Sequence, residues 1–153
     1  MQGVDRDRDP AGRPRNARPR DSLGRPLQRT AAGSPSYDEE RALPPDAAVG
    51  RGWRLLGAGE AFRAHELFEA MWKAAADDER PLWRGLAQLA VGITHAQRGN
   101  ATGAAALLTR AADTLSPFAG TTPHGVPVDR LRRWAATAAQ HPTPELAAPP
   151  LHD

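Results

Sequence analysis

Apolar positions recur with helical spacing in five stretches of the chain, and no stretch keeps the strict alternation of a strand. Pro44-Pro45-Asp46 predicts a helix start with an aspartate cap, ahead of Ala47, Ala48, Val49, Trp53, Leu55 and Leu56. Gly57 and Gly59 end that helix. A second is predicted over about 61 to 76, rich in alanine and unbranched side chains, with Asp77-Asp78 closing it. A third runs from about 79 to 98 and tolerates Pro81 in its first turn. Gly99-Asn100 reads as a C-cap followed by the N-cap of a fourth helix, over about 101 to 115. Pro117 stops it. A loop with Gly120, Pro123, Gly125 and Pro127 leads to a fifth helix, about 128 to 140. The tight connections favour antiparallel neighbours, so the expected fold is all-α, an irregular antiparallel bundle of about five helices.

The flanks read differently. Residues 1–43 are expected to be a disordered Arg/Pro/Asp-rich tail, 44–141 the helical domain, and 142–153 a proline-rich frayed end. The first 36 residues hold eight arginines, four aspartates and five prolines, with only Val4, Leu23 and Leu27 as large aliphatics. Such a stretch buries too little apolar surface to offset the entropy of ordering it.

Charge follows the same division. The chain has 20 basic and 18 acidic side chains, a net charge of +2. That surplus lies in residues 1–45, and the remainder is balanced, which argues against a nucleic-acid-binding face on the folded domain. The tail's interspersed aspartates and lack of aromatics favour a solvated extension over a nucleic-acid or lipid contact. Only Lys73 is lysine, and alanine, proline and glycine abound, a bias typical of a high-GC bacterial genome. There is no cysteine. The longest apolar stretch, Leu86 to Ile93, is interrupted by Gln88 and is far too short to span a bilayer. No secretory signal opens the sequence, so the expectation is a cytoplasmic protein without membrane insertion.

The candidate chemistry sits on the second and third helices. At 100° per residue, Phe62, His65, Phe68, Glu69 and Trp72 fall within an arc of about 120°. His65 and Glu69, one turn apart, can touch. On the third helix Gln88 and His95 share a face beside Gly85 and Gly92, and a glycine pair lets another backbone approach closely. The simplest assembly lays the second helix on that strip, so that His65 and Glu69 meet Gln88 and His95.

These residues resemble a known family. His65-Glu66-Leu67-Phe68-Glu69-Ala70-Met71-Trp72, then Gly85-Leu86-Ala87-Gln88-Leu89-Ala90, then His95 and Arg98-Gly99-Asn100, are similar to the pattern of domain of unknown function 309. Gly103, Ala104 and Leu107 supply the small-residue helix that follows. The resemblance covers about Trp53 to Leu115 and implies an all-helical bacterial fold, with no reaction attached.

Several readings of the polar site follow. The leading one is a buried His65/Glu69/Gln88/His95 network that fixes helix register within a structural, interaction or small-ligand-binding module. The alternative is an acid–base or metal-dependent hydrolase using His65, Glu69 and His95. The second histidine of the zinc-protease motif and the paired Glu-x-x-His of di-iron bundles are both missing. No cofactor is predicted, and a divalent metal at those three residues is the minor option. Glu66 reads as an ion pair to Arg63 or Lys73, or as a carboxylate reaching over a pocket mouth. Phe62, Phe68, Trp72 and Trp83, with Trp53, read as core before cavity lining; Trp134 suits the core or a homo-oligomer interface. Asn100 reads as a cap. His124, His141 and His152 are expected to be exposed and without partners.

Overall fold

The computed structural model describes residues 43–152. The expected N-terminal tail lies outside the described residues, apart from its last position, Leu43. Among the described residues five α-helices follow in order: α1 (Pro45–Gly57), α2 (Ala61–Ala74), α3 (Arg80–Gln97), α4 (Ala101–Thr114) and α5 (Val128–Gln140). Two short 3₁₀ turns, Ser116–Phe118 and Pro123–Gly125, lie between α4 and α5. Among the described residues there is no strand.

The helix starts show how local chemistry fixes the boundaries. Pro45 opens α1, where its preset φ suits the first turn and its missing N–H is no loss. Asp46 therefore stands inside the first turn, and it does not cap α1 as the sequence suggested. Asn100 does cap α4, its Oδ1 accepting from the Gly103 amide at 3.0 Å. Gly99 at φ 81° supplies the left-handed residue that lets α3 end and α4 begin at once.

Each helix packs on its neighbour in sequence, with α3 between α2 and α4. The largest fully buried side chains are Trp83, Phe68, Leu67, Leu82, Leu86, Leu89, Ile93, Leu108, Leu115 and Leu131. Small residues set the approach distances. A Cβ on Gly92 would lie 2.9 Å from the Leu108 side chain and 3.3 Å from its backbone nitrogen, and one on Gly85 would lie 2.6 Å from Leu115. The glycine strip of α3 thus receives α4 and its C-terminal end. It does not receive α2, as the spacing had suggested. A third close approach, unforeseen from the sequence, places the Phe68 ring only 2.2 Å from where a Cβ of Gly52 would stand.

The proline-rich end also departs from expectation. Leu146, Ala148 and Leu151 pack against the core, and the Trp53 indole Nε1–H donates to the Pro149 carbonyl at 2.8 Å. The segment is docked where fraying was expected.

Candidate functional site

The sequence of α2 places its polar and aromatic positions on one partly open face. Phe68 and Leu67 point inward and are fully buried, while Phe62, His65, Glu66, Glu69, Trp72 and Lys73 are half-buried. His65 Nε2 lies 3.4 Å from Glu69 Oε2, and Lys73 Nζ lies 3.6 Å from Glu69 Oε1. Those contacts make an acid flanked by two bases along two turns of helix. The His65 side chain is 18% exposed and that of Glu69 35%, so the pair is not sealed in the core. Phe62 covers one side of the imidazole, with ring centroids 5.2 Å apart. The His65 Nδ1 atom is buried and has no hydrogen-bond partner. Arg63, one of the partners expected for Glu66, pairs with Glu60 at 2.9 Å.

The other half of the anticipated network is elsewhere. Gly85, Gly92 and His95 all face α4, and Gln88, spaced between them, shares their side of α3. His95 Nδ1 meets Asn100 Nδ2 at 3.2 Å, at the α3–α4 corner. Burial, with a smaller contribution from the Arg98 charge, holds the His95 pKa below its usual 6.5. The neutral ring suits the contact, because its Nδ1 lone pair can accept from the Asn100 amide. The Gln88 Oε1 atom is buried without a partner. The glycine strip brings α4 close on the side of α3 that carries His95. Among the described residues no group of three His, Cys, Asp or Glu side chains comes together as a metal-binding set, so His65, Glu69 and His95 do not converge.

The aromatics form a connected row through the core. Trp53 meets Phe68 edge to face at 6.1 Å, Phe68 meets Trp83 at 6.4 Å, and Trp83 stacks on His124 at 5.9 Å. Phe68 and Trp83 are core residues, as expected, while Trp72 sits half-exposed under the Arg80 guanidinium, 5.4 Å from its ring. An open depression lined by Ala105, Ala106, Thr109, Arg110 and Asp113 lies on α4 and involves none of these side chains.

His124 was expected to be a bland loop residue, and the structure corrects that. Its Nδ1 lies 3.2 Å from Asp46, and its Nε2 lies 3.0 Å from Glu79. No local signal could have found it, because the partners are 78 and 45 residues away. The nearest hint is its Pro-His-Gly setting, since histidine tolerates the left-handed φ of 51° found there better than most residues. His141 and His152 are exposed, as expected.

With this geometry in hand, residues 49–107 match the model of the family described as domain of unknown function (DUF309). That segment is similar to the DUF309 family. The matched segment runs from α1 into α4 and contains His65 to Trp72, Gly85 to Ala90, His95 and Gly99-Asn100. The motif residues of the DUF309 segment thus build two separate features, the α2 ion-pair row and the α3–α4 corner. No curated protein and no solved structure matches the chain. No helix is long and apolar enough to cross a membrane, among the described residues.

Proposed function

We propose that the domain is a binding module, and that His65 with Glu69 is its recognition pair for a hydrogen-bond-donating group. The observation that carries this reading is the buried, unpartnered Nδ1 of His65. With the ring proton on Nε2 toward Glu69, Nδ1 holds a lone pair with nothing to accept. A buried acceptor left in that state costs about 1–3 kcal/mol. A network serving structure alone gains nothing from carrying that cost. An incoming N–H or O–H removes it.

The surroundings narrow the donor. Phe62 gives one apolar wall, and the Glu69 carboxylate beside the ring favours positive or strongly polarised N–H groups. Amines, primary amides and guanidines fit, whether free or carried on a partner chain.

The test is a titration of the full chain, labelled with ¹⁵N at histidine, with small amines, amides and guanidines. The expected result is movement of the His65 ring resonances, lost in a folded His65→Phe variant. If no compound moves them and His65→Phe lowers Tm by several degrees, His65 is structural and the reading fails.

A further inference from the structure

A proline-proline pair has no backbone N–H to offer. It can be recognised only through its ring faces and its carbonyl oxygens, by donors supplied from outside. The docked segment of this chain is met in that way. The Pro149 carbonyl accepts from the Trp53 indole of α1 at 2.8 Å, and the next carbonyl, Pro150, accepts from the Arg130 guanidinium of α5. Two donors on two different helices thus read two successive carbonyls. Around them, Leu146, Ala148 and Leu151 press half-buried against the core, as does the body of Trp53.

The segment itself is built for this mode of contact. Residues 146 to 150 form neither helix nor strand. Both prolines fix φ near −65°, and Ala148 before them is restricted to extended backbone. Such a chain is ordered before it binds, so docking costs little further conformational entropy. Its contacts are side-chain donors to main-chain carbonyls plus apolar packing, and none depends on the covalent link to α5.

We propose that the α1–α5 surface bounded by Trp53 and Arg130 is a recognition site for proline-rich segments of other polypeptides, which residues 146–151 occupy in cis as an exchangeable strap. The partner is an extended peptide carrying two consecutive prolines, an aliphatic residue after them and small or aliphatic residues before them. This site is separate from the His65–Glu69 pair and does not depend on it.

The strap follows α5 after a short connection, and short tethers give effective concentrations in the millimolar range. A peptide in trans therefore competes poorly with the intact strap. The experiment uses the full chain and a peptide of sequence Leu-Ala-Ala-Pro-Pro-Leu, read by the Trp53 indole N–H resonance, which a Trp53→Phe variant identifies. A full-chain variant with Pro149→Gly and Pro150→Gly weakens the strap. The expected result is that this variant binds the peptide at least about tenfold more tightly than the parent chain. Adding Arg130→Gln to it should abolish that gain, read by the same Trp53 resonance, while circular dichroism stays helical.

Two outcomes overturn the proposal. In one, the Trp53 resonance does not move with peptide in the strap-weakened variant, so the segment is only a structural end. In the other, a peptide with both prolines replaced by alanine binds equally well, so the surface is merely apolar.

Discussion

His124 stacks on Trp83 with ring centroids 5.9 Å apart and planes inclined by 21°, while its two nitrogens reach carboxylates on different elements. Asp46 belongs to the first turn of α1, and Glu79 precedes α3. One loop residue therefore ties the starts of two helices to the largest buried side chain of the core. The two carboxylates it meets are exposed, Asp46 at 86% and Glu79 at 40%, which limits the weight of these contacts against the stack.

His124→Ala keeps the same backbone demand at φ 51° and removes the ring. It is expected to lower the unfolding free energy by about 1–2 kcal/mol, summing a lost aromatic stack and weak surface pairs. Asp46→Asn with Glu79→Gln should cost less than half as much. Urea denaturation of both variants checks this. Equal costs would show that charge outweighs stacking.

The close approaches rank three glycines. Gly52→Ala should be the most damaging, because the fully buried Phe68 ring stands 2.2 Å from the new methyl and has no room to turn aside. Gly92→Ala meets Leu108, including its backbone nitrogen at 3.3 Å, and Gly85→Ala meets only the Leu115 side chain. Overpacking of this kind costs about 1–3 kcal/mol, partly offset by the roughly 1 kcal/mol that alanine gains over glycine inside a helix. The expected order of destabilisation is Gly52, then Gly92, then Gly85, read from Tm values of the three variants.

His95 should give the domain an acid limb. Its folded pKa lies below the ordinary 6.5 because burial and Arg98 disfavour the charged ring. Between that depressed value and 6.5 the unfolded chain binds more protons than the folded one, so stability rises with pH in this window and falls on acidification. Protonation would also set the Nδ1–H against the Asn100 amide donor, 3.2 Å away. The difference in unfolding free energy between parent and His95→Gln should be constant above neutrality and shift in favour of the variant below pH 6.5. A difference independent of pH refutes the assignment.

Glu69 carries a smaller share of stability than a sealed network would give it. Its contacts to His65 and Lys73 are 3.4 and 3.6 Å long on a carboxylate that is 35% exposed. Pairs of this kind on a helix surface contribute about 0.2–0.5 kcal/mol each. Glu69→Gln should therefore cost no more than about 1 kcal/mol in chemical denaturation. A loss of several times that would mean the carboxylate contributes more than surface pairs of this kind.

What the sequence disclosed depended on the range of each cause. Helix starts and stops are set by a few adjacent residues, so Pro44-Pro45-Asp46, Gly99 and Asn100 placed their boundaries within a residue or two, although Asp46 itself is not the cap. The face of α2 was equally legible, because one turn brings His65 to Glu69. Which helix faces meet was not. Spacing shows that Gly85 and Gly92 admit a neighbour, but only the packed chain shows that the neighbour is α4. His124 escaped notice because its contacts are made by chain topology. The end of the chain was misread for a different reason. Proline forbids helix, which suggested fraying, yet a donorless backbone can still dock through its carbonyls.

The order of synthesis gives the α1 contacts a further meaning. Helices α2, α3 and α4 can pack one after another as they leave the ribosome, each on the helix made just before it. The first described helix cannot be completed that way. Asp46 waits for a residue made 78 positions later, and Trp53 for one made 96 positions later. At roughly 5–20 residues per second of translation, the longer wait is about 5–20 s. Throughout it the Trp53 indole N–H lacks its acceptor on the nascent chain, although α2 can already pack beside the ring.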